Sequence, residues 1–82
     1  MRVEDKRAKF DALTRSEQQK YNQWSMDVPR VGFHTANMNL GDANPERIGS
    51  TWRMRLSGKN RICCSIDGDL CKVLVVGNPR GH

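Results

Sequence analysis

The sequence has few aromatic residues, few cysteines and, in its second half, few acids. One Tyr, two Phe and two Trp occur in 82 residues, with 37% hydrophobic and 28% charged residues and a mean hydropathy of −0.74. Such a chain has room for one domain and one modest core, with a stability of about 3 to 5 kcal/mol unless a partner adds to it. The composition is still globular and lies outside the disordered class. Three cysteines, no CxxC and only two histidines exclude a disulfide framework and a spaced zinc site. Cys63 and Cys64 are adjacent, and neighbouring strand residues point to opposite faces, so the pair cannot share a metal. Cys64 and Cys71 read as core and Cys63 as incidental. No metal and no cofactor is expected. No apolar run approaches the roughly 18 residues of a membrane span, and the charged stretch from Arg2 to Lys9 is unlike a signal segment. A reduced, cytoplasmic setting without membrane contact is the expectation.

The net charge of +5 is unevenly spread. Residues 1–50 carry eight basic side chains against seven acids, whereas residues 51–82 carry six against Asp67 and Asp69 alone. A positive field concentrated in one half points to a polyanionic partner such as RNA, DNA or an acidic peptide, although a basic surface that merely aids solubility gives the same count.

Along the chain, VEDKRAKFDAL (3–13) places Val3, Phe10 and Leu13 on one rough stripe with acids in the first turn, which predicts a short amphipathic helix. Thr14 and Glu17 form a capping-box pair that opens a second helix through Tyr21 and Trp24 to about residue 26. From 27 to 50, Pro29, Gly32, Gly41, Pro45 and Gly49 break every periodicity, so a long loop is expected, with His34 on a short extended segment of it, either solvated or satisfied locally. TWRMRLS, NRICCSI and LCKVLVV are three β-rich runs separated by turn residues, and they predict an antiparallel meander over 51–77. The fold class is therefore α+β: a single domain, 1–82, in which an N-terminal helical hairpin packs on a C-terminal antiparallel sheet of three or more strands.

Register carries the functional argument. With Asp67 and Gly68 as a hairpin loop, Ile66 faces Asp69, Cys64 faces Cys71 and Ile62 faces Val73, so Ile62, Cys64, Ile66, Cys71, Val73 and Val75 share the core face. A three-residue loop of Ser57, Gly58 and Lys59 sets Met54 against Ile62 and Arg55 against Arg61. Arg53, Arg55, Arg61 and Lys72 then gather on the opposite surface. Like charges facing each other across strands destabilise a sheet, so Arg55 against Arg61 implies an anion between them. The alternative is a solvated basic face that discourages aggregation at the sheet edge.

The stretch from Gly49 to His82, GSTWRMRLSGKNRICCSIDGDLCKVLVVGNPRGH, resembles the C-terminal sheet of the RelE/ParE superfamily of bacterial toxins, in its HigB-like branch. The residues that carry the resemblance are Trp52, Arg53 and Arg55, then Asn60, Arg61 and Ile62, then Ile66 to Asp69, and a chain end near a histidine. Members of the family usually begin with a β-strand before the first helix, of which MRVED supplies at most a stub. The resemblance implies the toxin of a type II toxin-antitoxin system: a ribosome-dependent mRNA endonuclease, or mRNA interferase, that cuts RNA in the ribosomal A site. Its partners would be mRNA, the ribosome and a cognate antitoxin that silences it. Arg53 and Arg55 match the family's strand cations, Arg61 its phosphate clamp, Arg80 the basic residue of the C-terminal segment and His82 the terminal acid or base. Catalysis would then rest on Arg55, Arg61 and His82, and phosphate binding on Arg53, Lys59, Lys72 and Arg80. Lys72 could replace His82 in proton transfer if neighbouring arginines lowered its pKa. Two other readings stay open: a ParE-like inhibitor of DNA gyrase without nuclease activity, and a non-catalytic module that grips nucleic-acid backbone.

Overall fold

The computed structural model describes residues 1–81. Two short strands, β1 (Arg2–Glu4) and β2 (Lys9–Phe10), precede helices α1 (Arg15–Val31) and α2 (Phe33–Asn39). Strands β3 (Glu46–Ile48), β4 (Thr51–Ser57), β5 (Asn60–Asp67) and β6 (Leu70–Gly77) follow, and a 3-10 turn spans Pro79–Gly81. The sheet has six strands in the order β1-β6-β5-β4-β3, with β2 also pairing β6. Strands β3 to β6 form an antiparallel meander, whereas β1 and β2 run parallel to β6. The α+β architecture matches expectation; a purely antiparallel sheet does not.

The helix expected over 3–13 does not form; this part of the chain holds the strands β1 and β2 instead. Their apolar stripe is too thin to decide the matter, and β6 decides it instead. LCKVLVV is apolar on both faces, as a strand inside a sheet is, and its second row of backbone donors and acceptors needs a partner. Residues 2–4 and 9–10 supply that partner, joined by a turn in which the Ala8 N–H donates to the Asp5 carbonyl at 3.1 Å.

The capping box is present: the Glu17 N–H donates to Thr14 Oγ1 at 3.1 Å, and the Thr14 N–H donates to Glu17 Oε1 at 2.8 Å. Beyond it, Tyr21, Trp24 and Val28 lie on one stripe of α1 and are all buried. Helix α1 runs five residues past the expected end and includes Pro29. Proline costs a helix one donor, but its φ is helical, and burial of Trp24 and Val28 outweighs the lost bond. The segment 27–50 is accordingly no loop: it holds the end of α1, then α2 and then β3. The helical hairpin is α1 with α2, displaced along the chain from its expected position. Trp24 Nε1 donates to Asn37 Oδ1 at 2.8 Å in the buried seam between the two helices.

The hairpin turns shift the expected registers by one residue. Asp67 pairs with Leu70, Ser57 with Asn60 and Ile48 with Thr51, so the two-residue loops are Gly68-Asp69, Gly58-Lys59 and Gly49-Ser50. Each glycine has positive φ (58°, 53° and 63°) and the residue after it does not. That is the demand of a type II′ turn, with glycine at the first central position. Cys64 therefore faces Val73, Ile66 faces Cys71 and Ile62 faces Val76. A bulge between Cys63 and Cys64 leaves Leu74 as the extra residue on β6 and reverses the alternation beyond it. Val76, fully buried, thus takes the core place expected of Val75. In the β4–β5 hairpin a second bulge at Leu56 compensates for the shorter loop, so Met54 still faces Ile62 and Arg55 still faces Arg61.

The core lies between the helices and one sheet face and contains Tyr21, Trp24, Val28, Met54, Leu56, Ile62, Cys64, Cys71, Val73 and Val76. Two outcomes follow. Asn37→Ala orphans the buried Trp24 N–H and costs about 1 to 3 kcal/mol, read as a lower midpoint at constant slope in urea. The Glu17 carboxyl is held below its ordinary value of 4.5, chiefly by the Thr14 backbone N–H and then by the Asn60 amide, while burial opposes. Its folded-state pKa being depressed, Glu17 contributes stability that is fully present above the ordinary carboxylate range and lost as pH falls through the depressed value. Unfolding followed from pH 6 downward shows that loss in the native protein and a flatter profile in Glu17→Gln.

Candidate nucleic-acid interface

The sheet face away from the helices carries the odd-numbered residues of β4 and β5. Thr51, Arg53 and Arg55 alternate with the core residues Trp52, Met54 and Leu56, and Arg61, Cys63 and Ser65 alternate with Ile62 and Cys64. Where this face meets the 40–45 loop and the segment after β6, a cleft of about 550 Å³ opens. Five cations line it: Arg53, Arg55, Lys59, Arg61 and Arg80. Two carboxylates, Asp42 and Glu46, line it as well, with Asn44, Asn78 and Pro79.

Each cation is placed by a different element. Arg53 and Arg55 project from β4, where Arg53 faces Cys63 on one side and Glu46 of β3 on the other. Arg55 faces Arg61 directly, and its N–H donates to the Ala43 carbonyl at 2.6 Å, which fastens the 40–45 loop to β4 as one wall of the cleft. That loop brings Asp42, whose Oδ2 lies 3.5 Å from Arg55 Nη1. The two side chains are 49% and 85% exposed, so the pair is worth at most about 1 kcal/mol and is open to displacement by a competing anion. Arg61 Nη1 donates to the Gly58 carbonyl at 2.7 Å and to the Asn60 carbonyl at 3.0 Å. The turn thus holds one guanidinium nitrogen of Arg61 in place, and the group stays part of the cleft lining. Cys63, the cross-strand partner of Arg53, is 5% exposed. Burial pushes its thiol up, and the Arg53 and Arg61 guanidiniums partly offset this.

Arg80 is placed from an unexpected direction. Asp11, just after β2, accepts from the Asn78 N–H at 2.8 Å, and its own N–H donates to the Val76 carbonyl at 3.0 Å. Gly77 lies between, and a side chain there would run into the Asp11 carboxylate. The chain leaves β6 through this contact, Asn78 Oδ1 accepts from the Arg80 N–H at 3.1 Å, and Arg80 is delivered to the cleft. Asp11 is a residue that sequence reasoning missed. It falls within the helix expected over 3–13, and the pairing of β2 with β6 brings it to Gly77.

Of the residues singled out in the sequence, Arg53, Arg55, Lys59, Arg61 and Arg80 converge. Lys72 does not: it faces Ser65 and Glu4, four residues along β5 from Arg61, or roughly 13 Å away. It shares the wet side of the sheet but lies outside the cleft, because the strands carry it toward the opposite end. His82 lies outside the described residues. Among the described residues no group of three or more His, Cys, Asp or Glu side chains is placed to hold a metal, and no helix is long and apolar enough to cross a membrane. No protein-family model matches the chain, and no curated protein matches it in sequence.

Chemically, the arrangement is a trough of fixed positive charge with one exposed internal ion pair and a facing arginine pair. Arginine is always protonated and its planar fork matches phosphate, so a trough of this composition is suited to holding and polarising phosphate oxygens. Inorganic phosphate is accordingly expected to raise the melting temperature of the native protein, the added stability being about 2.7 kcal/mol at a hundred times its dissociation constant. The same phosphate raises Arg55→Gln and Arg61→Gln less; equal shifts in all three proteins would show that phosphate binds elsewhere.

Proposed function

We propose that the chain is an RNA-cleaving toxin of the RelE/ParE kind, an mRNA interferase that acts in the ribosomal A site and is held inactive in the cytoplasm by an antitoxin. The observation that carries this reading is the convergence of five cations on one cleft, with Arg55 set opposite Arg61 in register. The strand ahead of α1 adds support, since an opening strand is the feature of that family which the sequence offered only as a stub.

In the proposed reaction a ribose 2′-oxygen attacks the adjacent phosphorus, the bond to the 5′-oxygen breaks, and a 2′,3′-cyclic phosphate and a 5′-hydroxyl result. Charge develops on the two non-bridging oxygens, where preorganised cations contribute most. Arg61, held by the turn carbonyls, clamps these oxygens together with Arg55, whose ion pair with Asp42 yields to the phosphate. Arg53, Lys59 and Arg80 grip neighbouring phosphates and set the strand's register in the cleft. A proton must leave the 2′-hydroxyl and another must reach the 5′-oxygen; arginine can do neither, and His82 is the side chain assigned to that exchange.

Expression in bacteria followed by mapping of mRNA 5′ ends on stalled ribosomes tests the proposal. Cleavage within A-site codons supports it; growth arrest with intact mRNA favours gyrase inhibition, and binding without either favours a plain nucleic-acid module. Arg61→Ala is expected to keep its fold, to lose growth arrest and to cleave about 10²- to 10³-fold more slowly. The same substitution lowers the salt dependence of RNA binding by about one unit of slope.

A further inference from the structure

We propose that Glu17 and Asn60, which lie on the helix side of the sheet, are positioning residues for the Arg61 guanidinium in the cleft on the other side. The inference rests on the reading of Arg61 as the phosphate clamp, and it concerns how that clamp is kept in place.

A capping box needs only one oxygen of its carboxylate. Glu17 uses Oε1 for the Thr14 N–H, and its Oε2 accepts from Asn60 Nδ2 at 2.7 Å, from a residue 43 positions later in the chain. With both oxygens engaged, the side chain is 6% exposed. Asn60 opens β5 and closes the Gly58-Lys59 turn against Ser57. Its side chain reaches back to α1, while its carbonyl and that of Gly58 are the two acceptors that hold Arg61 Nη1. Tilting the Asn60 peptide would therefore move one of the two acceptors directly and shift it relative to the other. The turn itself is exposed and contains a glycine, so it has little rigidity of its own. A second tether from α1, Lys20 Nζ donating to the Leu56 carbonyl at 3.0 Å, holds the β4 arm of the same hairpin. The first turns of α1 thus clamp both arms of the hairpin that presents Lys59 and Arg61. Because an error of 1 Å in a catalytic group costs as much as about 10²-fold in rate, a buried contact on the far side of the sheet becomes a determinant of turnover.

The test uses the full chain with Asn60→Ala, with Asn60→Asp, which sets carboxylate against carboxylate, and with the pair Glu17→Gln and Asn60→Asp, which rebuilds the bond with donor and acceptor exchanged. Two readouts are taken: the NMR order parameter of the Arg61 Nε–H group in the free protein, and kcat and KM for RNA cleavage. The expected result is a guanidinium that is ordered in the native protein, falls below an order parameter of about 0.6 in both single variants and regains order in the double variant. Turnover drops at least tenfold in the single variants with a smaller change in KM, and recovers in the double variant. Thr14→Ala, which weakens the helix cap alone, lowers the melting temperature and leaves Arg61 order and kcat unchanged. An Arg61 that stays ordered in Asn60→Ala and Asn60→Asp, or a double variant that regains melting temperature but neither order nor rate, overturns the proposal. If the order parameters behave as expected while the native protein cleaves no RNA, the positioning role stands and the nuclease reading fails.

Discussion

A single chain of aromatic contacts joins the two layers of this protein. Phe10 on β2 meets Tyr21 edge-on at 5.3 Å, Tyr21 meets Trp24 at 6.0 Å, Trp24 meets Phe33 of α2 at 6.4 Å, and Phe33 meets Trp52 of β4 at 5.7 Å. Every aromatic residue in the sequence takes part. Each contact is worth about 0.5 to 1.5 kcal/mol beyond the area it buries, and together they fix the direction in which α1 crosses the sheet. That direction brings Glu17 over the β4–β5 turn and Tyr21 to Asp5, whose Oδ2 accepts from the tyrosine hydroxyl at 2.8 Å. The positions of the turn, of β1 and of the cleft all follow from how α1 lies.

The two sheet faces answer opposite demands. The helix side is filled to the point that Val28, Met54, Ile62, Cys64, Cys71 and Val76 have no exposed surface. The other side gathers guanidiniums that repel one another, with an exposed ion pair to Asp42 as partial relief. A fold of this size has little stability to spare, so the repulsion is bearable only because it lies where water and counterions screen it. Local conflict of this kind is where a binding surface is to be looked for.

Much of the cleft was legible in the sequence, because period-two alternation needs only a strand to exist. Trp52, Met54 and Leu56 against Arg53 and Arg55 fixed the faces of β4, and Thr14 with Glu17 fixed the start of α1. The facing pair Arg55 and Arg61 was found by way of a three-residue loop that does not occur, since the Leu56 bulge restores the same register. What escaped was non-local. That residues 2–4 and 9–10 are strands follows from the needs of β6, some sixty positions later, and no local pattern contains that information. Lys72 was assigned to the correct side but the wrong end, because alternation gives a face and not a distance. The turns carried a signal that went unread: Gly-Ser, Gly-Lys and Gly-Asp recur at 49, 58 and 68, each with glycine first, and taken together they mark three hairpins and so reveal β3.

The placement of β6 bears on how the molecule is made. Residue 3 pairs with residue 71, and the strand that receives it lies between β1 and β5, one strand in from the edge of the sheet. A nascent chain can build the α1–α2 hairpin and the β3–β4–β5 meander as each emerges, but β1 has nothing to dock on until residues 70–72 have been made, and β2 until residues 75 and 76 have. Asp11 likewise waits for Gly77 and Asn78, so the contact that delivers Arg80 is among the last to form. Long-range parallel pairing is slow to close. The arginine trough is thus completed only after β6 has been made, and until then a nascent chain presents its cations without the contact that places Arg80.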